Sequence, residues 1–173
     1  RVLRRCGIDG PETSNNATLA LAIARQRNPR AGRGPTTVGA MVDLDRLARE
    51  RTDLSSEQIA HLHLLTADWT LLSDLSFSDL VMWLPTWNDA GFVAAAQVRP
   101  STGPTVYPED IVGLFAAKGR LREAERAFHS QRVVHNRMSP DSLLPVGTEA
   151  IPVHHGNRVV AVIARRSGLS PRE

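Results

Sequence analysis

The sequence predicts an α+β domain in which a central antiparallel β-sheet of about five strands is flanked by helices. Three features predict it. Apolar residues recur at helical spacing between Ser55 and Leu75. Two pairs of strand-like runs, Leu80–Trp87 with Phe92–Arg99 and Thr148–His154 with Arg158–Arg166, are each joined by a tight turn. A helical stretch, Lys118–Gln131, separates the two hairpins. Two hairpins joined by a helical crossover close most simply into one antiparallel sheet covered by helices. With 173 residues, 42% of them hydrophobic, the chain is long enough to fill one such core.

Residues 1–40 carry no sustained helix or strand period. Asn16–Arg27 has the composition of a short helix, but Asn28-Pro29 ends it, and Ala31–Ala40 is rich in Gly, Pro and Thr. Residues 1–40 are therefore expected to be a disordered tail or upstream sequence. The domain is expected over residues 41–166, from the first methionine, Met41, and residues 167–173 read as the start of a linker.

From Val42 the pattern is regular. Val42–Arg51 reads as a short helix with Leu44, Leu47 and Ala48 on one side. Ser55 with Gln58 three residues on is a capping box opening a long helix to about Leu75. Its stripe is Ile59, Leu62, Leu65 or Thr66, Trp69 and Leu72. The strand Leu80–Trp87 turns at Asn88-Asp89-Ala90-Gly91 into Phe92–Arg99, and Pro100–Gly113 is a loop. Lys118–Gln131 places Leu121, Ala124, Ala127 and Phe128 at helical spacing. Arg132–Asn136 is a short strand, Met138–Val146 a loop, and His155-Gly156-Asn157 joins the last two strands.

Composition bounds the function. The net charge is +3, but residues 1–40 hold seven arginines against Asp9 and Glu12, while the remaining 133 residues carry 14 basic and 16 acidic side chains. No nucleic-acid-binding surface is therefore expected on residues 41–173. No apolar run approaches the roughly 18 residues of a membrane-spanning helix. Cys6 is the sole cysteine, which excludes an internal disulfide and a thiolate zinc site and suggests a reducing compartment. Phosphate-loop, dinucleotide, nucleophile-elbow and zinc-protease motifs are all absent from the sequence. His61 and His63 stand about 200° apart around their helix and cannot share a metal. His154 and His155 are strand neighbours that point to opposite faces. A metal site would have to be assembled in three dimensions, and none is expected; nor is a cofactor.

The strand Phe92–Arg99 is more informative. Ala94-Ala95-Ala96 is an unusual run for a strand, with two readings: close approach by a helix, or room for a ligand. Gln97 and Arg99 share one face, and the following loop supplies Ser101, Thr102, Thr105 and Tyr107. Donors at the rim of a partly apolar pocket suit a small anionic or nucleotide-like ligand. The candidate ligand-binding residues are thus Trp83, as an apolar wall, with Gln97, Arg99, Thr102, Thr105 and Tyr107. The competing account pairs Arg99 with Glu109 or Asp110 and leaves the loop merely ordered. Glu109 and Asp110 are explained by turn formation and capping, and no catalytic residues are expected.

Several runs carry a family resemblance. They are Trp69-Thr-Leu-Leu-Ser-Asp-Leu-Ser-Phe-Ser-Asp-Leu80 and Ala96-Gln-Val-Arg-Pro-Ser-Thr-Gly-Pro-Thr-Val-Tyr-Pro-Glu-Asp-Ile-Val-Gly113, with Val42–Trp69 before them and Val133–Arg137, Ala150-Ile-Pro-Val153 and Gly156–Arg165 after. Together they resemble the N-terminal sensor domain of actinobacterial cytosolic histidine kinases of the PdtaS type, over Met41–Arg166. The resemblance implies a GAF-like fold related to PAS modules. It implies a non-catalytic, cytoplasmic sensor domain that controls autophosphorylation and phosphotransfer in a two-component system. The implied partners are downstream PAS-like and kinase domains of the same polypeptide, a response regulator reached through the full-length kinase, an unidentified small-molecule signal, and a second copy of the chain; no membrane is implied. Some members carry cysteines on the strand matching Phe92–Arg99, where this sequence has Ala94 and Val98, so thiol-based sensing does not carry over. The alternative is a free-standing GAF-like module for small-molecule binding or dimerisation.

Overall fold

The computed structural model describes residues 37–103, 105–107, 109–136 and 146–168. The expectations for residues 1–36, including the Asn16–Arg27 helix and Cys6, and for 137–145 and 169–173 lie outside the described residues. In chain order the elements are α1 (Thr37–Arg51), α2 (Ser56–Thr66), α3 (Trp69–Ser76), β1 (Asp79–Pro85), β2 (Gly91–Val98), β3 (Phe115–Ala117), α4 (Arg122–Ser130), β4 (Val134–Asn136), β5 (Val146–His155) and β6 (Arg158–Gly168). The strands form one antiparallel sheet in the order β3-β2-β1-β6-β5-β4, so the two expected hairpins meet through β1 and β6.

Each face of the sheet carries its own apolar layer. On one, Leu44, Leu47 and Ala48 of α1, Ile59 and Leu62 of α2 and Trp69 of α3 pack on Leu80, Met82, Leu84, Val93, Val153 and Val160. On the other, Ala124 and Ala127 of α4 and Leu121 just before it, with Tyr107 and Ile111 of the loop after β2, cover Val81, Trp83, Ala94, Ala150, Val162 and Ala164. This second face is the one that matters for the site.

A β-bulge decides where the alanine run points. Met82 pairs with Ala96 and Trp83 with Ala94, leaving Ala95 as the extra residue. Ala95 and Ala96 therefore both join the layer under α1, while Ala94 lies on the opposite face. Helix packing accounts for two of the three alanines: with Ala48, they let α1 approach β2 closely.

The structure corrects several element assignments. The first helix begins at Thr37, not Val42, and so takes in the end of the stretch expected to be a tail. The long helix expected from Ser55 to Leu75 is two helices. Its capping box is present, with the Gln58 N–H donating to Ser55 Oγ and the Ser55 N–H donating to Gln58 Oε1. The helix stops where Thr66 donates its hydroxyl back to the carbonyls of Leu62 and His63 and the Ala67 N–H tightens onto Leu64. Restarting at Trp69 turns the inner face to Trp69 and Ser73, so Leu72, expected in the stripe, is exposed. The helix expected from Lys118 starts at Arg122, because Lys118–Leu121 is a turn with Gly119 at φ +87°. A sixth strand, β3, was not expected; Gly91 admits it, since a Cβ there would lie 2.1 Å from the Ala116 carbonyl oxygen.

Trp69 is 3% exposed beneath the sheet. Trp69→Ala is expected to lower unfolding free energy by about 3–5 kcal/mol in urea titrations, and a loss below about 1 kcal/mol would show that α3 is not part of the core.

Candidate functional site

An irregular loop must find partners for its backbone groups outside any ladder. For the loop after β2, three side chains from outside the loop supply several of them. Asp74 of α3 accepts from the Ser101 N–H at 2.6 Å and from the Ser101 hydroxyl at 2.9 Å. Asp79, wholly buried at the start of β1, accepts from the Thr105 hydroxyl at 2.6 Å and from the Val106 N–H. Gln97 of β2 accepts from the Ile111 N–H at 2.8 Å and donates to the Glu109 carbonyl at 3.4 Å. Asp110 accepts from the Val112 N–H at 2.9 Å in a local turn, as its position suggested.

Under this loop lies a row of charge. Asp79 pairs in register with Arg166 of β6, and Arg99 extends the same row one residue past the Leu80–Val98 pair. Directly opposed residues share a face, so Asp79 and Arg166 lie side by side, with Gln97 and Val81 in the next row on that face and Arg99 following just past the end of β2. Neither arginine forms an ion pair among the described residues; the Arg166 guanidinium instead stands 5.1 Å from the centre of the Tyr107 ring. Tyr107 is 5% exposed. Burial pushes its phenol above the ordinary value, Arg166 opposes that rise, and Asp79 adds to it.

Three buried side-chain nitrogens among the described residues have no hydrogen-bond partner: Trp83 Nε1, Arg99 Nε and Arg166 Nε. All three are donors; Trp83 and Arg166 belong to the second face of the sheet, and Arg99 directly follows β2. Buried donors are almost always paired, and one left alone costs about 1–3 kcal/mol. Three such donors beside a clipped loop, with a net positive charge, make an arrangement suited to an anion or a carbonyl-rich ligand.

The sequence-derived residues divide by role. Trp83 and Tyr107 come together on the second face, and Arg99 directly follows β2. Gln97 and Thr105 are there too, but their hydrogen bonds hold the loop. Thr102 is exposed and makes no side-chain hydrogen bond among the described residues. Arg99 makes no ion pair with Glu109 or Asp110 among the described residues, while the loop is ordered through Asp74, Asp79 and Gln97. Sequence reasoning missed Asp79 and Arg166, whose places depend on sheet register. A separate, shallow groove outside α4 is lined by Arg122, Glu125, Arg126, His129, Ser130 and Val134.

A family model described as the GAF domain of histidine kinase PdtaS matches residues 44–173. The chain belongs to the PdtaS GAF-domain family. The sensor histidine kinase PdtaS of Mycolicibacterium smegmatis is 37% identical over 136 residues, covering 76% of this chain and 27% of the relative. Its counterpart in Mycobacterium tuberculosis is 36% identical over 132 residues, covering 72% of this chain and 26% of that protein. The chain thus spans about a quarter of the length of the curated relatives it matches. A solved structure described as the sensor region of a sensor histidine kinase superposes with a TM-score of 0.60 at 34% identity, over 75% of this chain and 45% of that one. The GAF-type α+β architecture is therefore shared with a kinase sensor region, and no helix among the described residues is long and apolar enough to cross a membrane.

Tyr107 is the only tyrosine, so phenolate absorbance reads it alone. Its titration is expected to centre above 10.0 in the folded protein. The sign follows from linkage: the unfolded chain loses the phenol proton first, so stability is complete below that value and falls as pH rises through the folded one. Tyr107→Phe is expected to flatten this alkaline loss; an unshifted titration would contradict the buried placement.

Proposed function

We propose that this chain is the signal-sensing domain of a cytoplasmic two-component histidine kinase and has no catalytic activity of its own. Family membership supports the kinase context. In this reading the chain precedes PAS-like and kinase domains in the same polypeptide, and the full-length kinase passes phosphate to a response regulator. The observation that carries the sensing role is the set of three unpartnered donors, Trp83 Nε1, Arg99 Nε and Arg166 Nε, on and just beside the face under the loop. The ligand is a small anionic or nucleotide-like molecule. Arg99 and Arg166 engage its charge, Trp83 and Tyr107 form its walls, and Gln97 and Thr105 position the loop over it, with Thr102 at the rim.

A ligand changes a kinase only by binding its two states unequally. In this reading the loop supplies the two states, held by or released from its hydrogen bonds to Asp74, Asp79 and Gln97. Homodimerisation offers a second output route. The exposure of Leu71, Leu72 and Leu75 on α3 and of Phe77 after it supports that route.

A thermal-shift panel of inorganic phosphate, small carboxylates and mononucleotides on the 173-residue chain, with hits titrated by calorimetry, tests the site. Arg99→Ala is expected to weaken a hit at least tenfold, about 1.4 kcal/mol. Equal affinity for the variant and the native chain would sink this site. A native gene product lacking any phosphoacceptor or ATP-binding region would favour the free-standing module instead.

A further inference from the structure

The two histidines of α2 point to different partners. The His63 ring nitrogen Nε2 lies 3.6 Å from the Asp45 carboxylate of α1. The His61 ring instead lies against His155 at the end of β5, with ring centres 5.4 Å apart and planes tilted by 57°. Sequence spacing excludes a metal shared by His61 and His63, and it is silent on His61 with His155, which are brought together only by the seating of α2 on the sheet.

That separation has a chemical meaning. A zinc ion bound through one nitrogen of each imidazole, at roughly 2.0–2.1 Å, stands about 3.2 Å from each ring centre, and a tetrahedral angle then separates the centres by about 5.2 Å. The observed 5.4 Å between ring centres is compatible with this spacing once a ring nitrogen of each turns toward the ion. Imidazole also suits nickel and copper among the divalent transition metals, and is a poor ligand for magnesium or calcium. The neighbouring cation does not oppose occupancy: Arg158, the cross-strand partner of His155, has its charge engaged by the Asp53 carboxylate at 2.8 and 2.9 Å. Both rings are half-buried, so the seam is open to ions from solution.

The geometry points to His61 and His155 as a two-histidine site for a divalent transition metal, bridging α2 to the β5–β6 hairpin. No group of three histidine, cysteine, aspartate or glutamate residues able to hold a metal occurs among the described residues, so the two imidazoles are the ligands this site offers and its remaining positions are open to solvent. The site lies on the α1–α3 side of the sheet, away from the donors under the loop. A bound ion would fasten α2 to the sheet and stabilise the folded state by mass action.

The test is calorimetric titration of the full 173-residue chain, free of any affinity tag, with zinc and separately with nickel chloride at neutral pH, magnesium serving as control. One ion per chain is expected. His61→Gln and His155→Gln are each expected to weaken binding at least tenfold, whereas His63→Gln and His154→Gln leave it unchanged; circular dichroism without metal confirms that each variant folds. If either variant fails to fold, selective broadening of the His61 and His155 ring resonances by nickel in the native chain decides the matter. Absence of stoichiometric binding, binding that survives loss of His61 or His155, or equal dependence on His63 or His154 would overturn the site.

Discussion

The Asp79 carboxylate is the constraint on which the second face of the sheet depends. It is wholly buried, sits at the first position of β1, and takes the Thr105 hydroxyl and the Val106 N–H as hydrogen-bond donors. Burying a charge is expensive unless it is well paired. Here the compensation comes from the loop itself and from a position between Arg99 and Arg166 in the strand order. Removing the loop from the sheet would leave that carboxylate without its hydrogen bonds. The loop is therefore held by a group that needs it, and Tyr107 is carried into the apolar layer beside it.

The same few residues connect the two faces. Ser73 and Ser78 are buried around the turn from α3 into β1, where the Ser73 hydroxyl donates to the Ser78 carbonyl at 2.7 Å. Asp74, on the last turns of α3, holds the beginning of the loop through Ser101. Thus α3, on one side, and the loop, on the other, are tied through a segment of six residues, Asp74–Asp79. In the proposed reading, with a ligand under the loop, this segment is the covalent link by which its binding would reach α3. The bulge at Ala95 serves the same division, because it turns two alanines toward α1 and leaves the following Gln97 on the loop side.

What was legible in the sequence was local. The capping box at Ser55 and Gln58, the two hairpins and the turn chemistry at Asn88–Gly91 and His155–Asn157 are read from neighbouring residues, and all are present. The break between α2 and α3 was not legible, since it rests on the Thr66 hydroxyl bonding backward, without proline or glycine to announce it. Strand β3 is three residues long and exists through its pairing with β2. In the site, Gln97 faces the loop because the bulge precedes it, and Arg99 follows two residues later, just past the end of β2. Asp79 and Arg166 were missed because only the β1–β6 register brings them beside Arg99. The roles of Gln97 and Thr105 needed the loop's backbone partners, which no spacing rule supplies.

The central claim is that the unpartnered donors on this face receive a ligand. The most direct measurement follows the Trp83 indole N–H resonance in a nitrogen–proton correlation spectrum while a stabilising anion from the panel is added. A saturable shift of the Trp83 signal, lost in Arg99→Ala, is the predicted result. A Trp83 signal that stays still while the anion stabilises the native chain and the Arg99→Ala variant alike would contradict it.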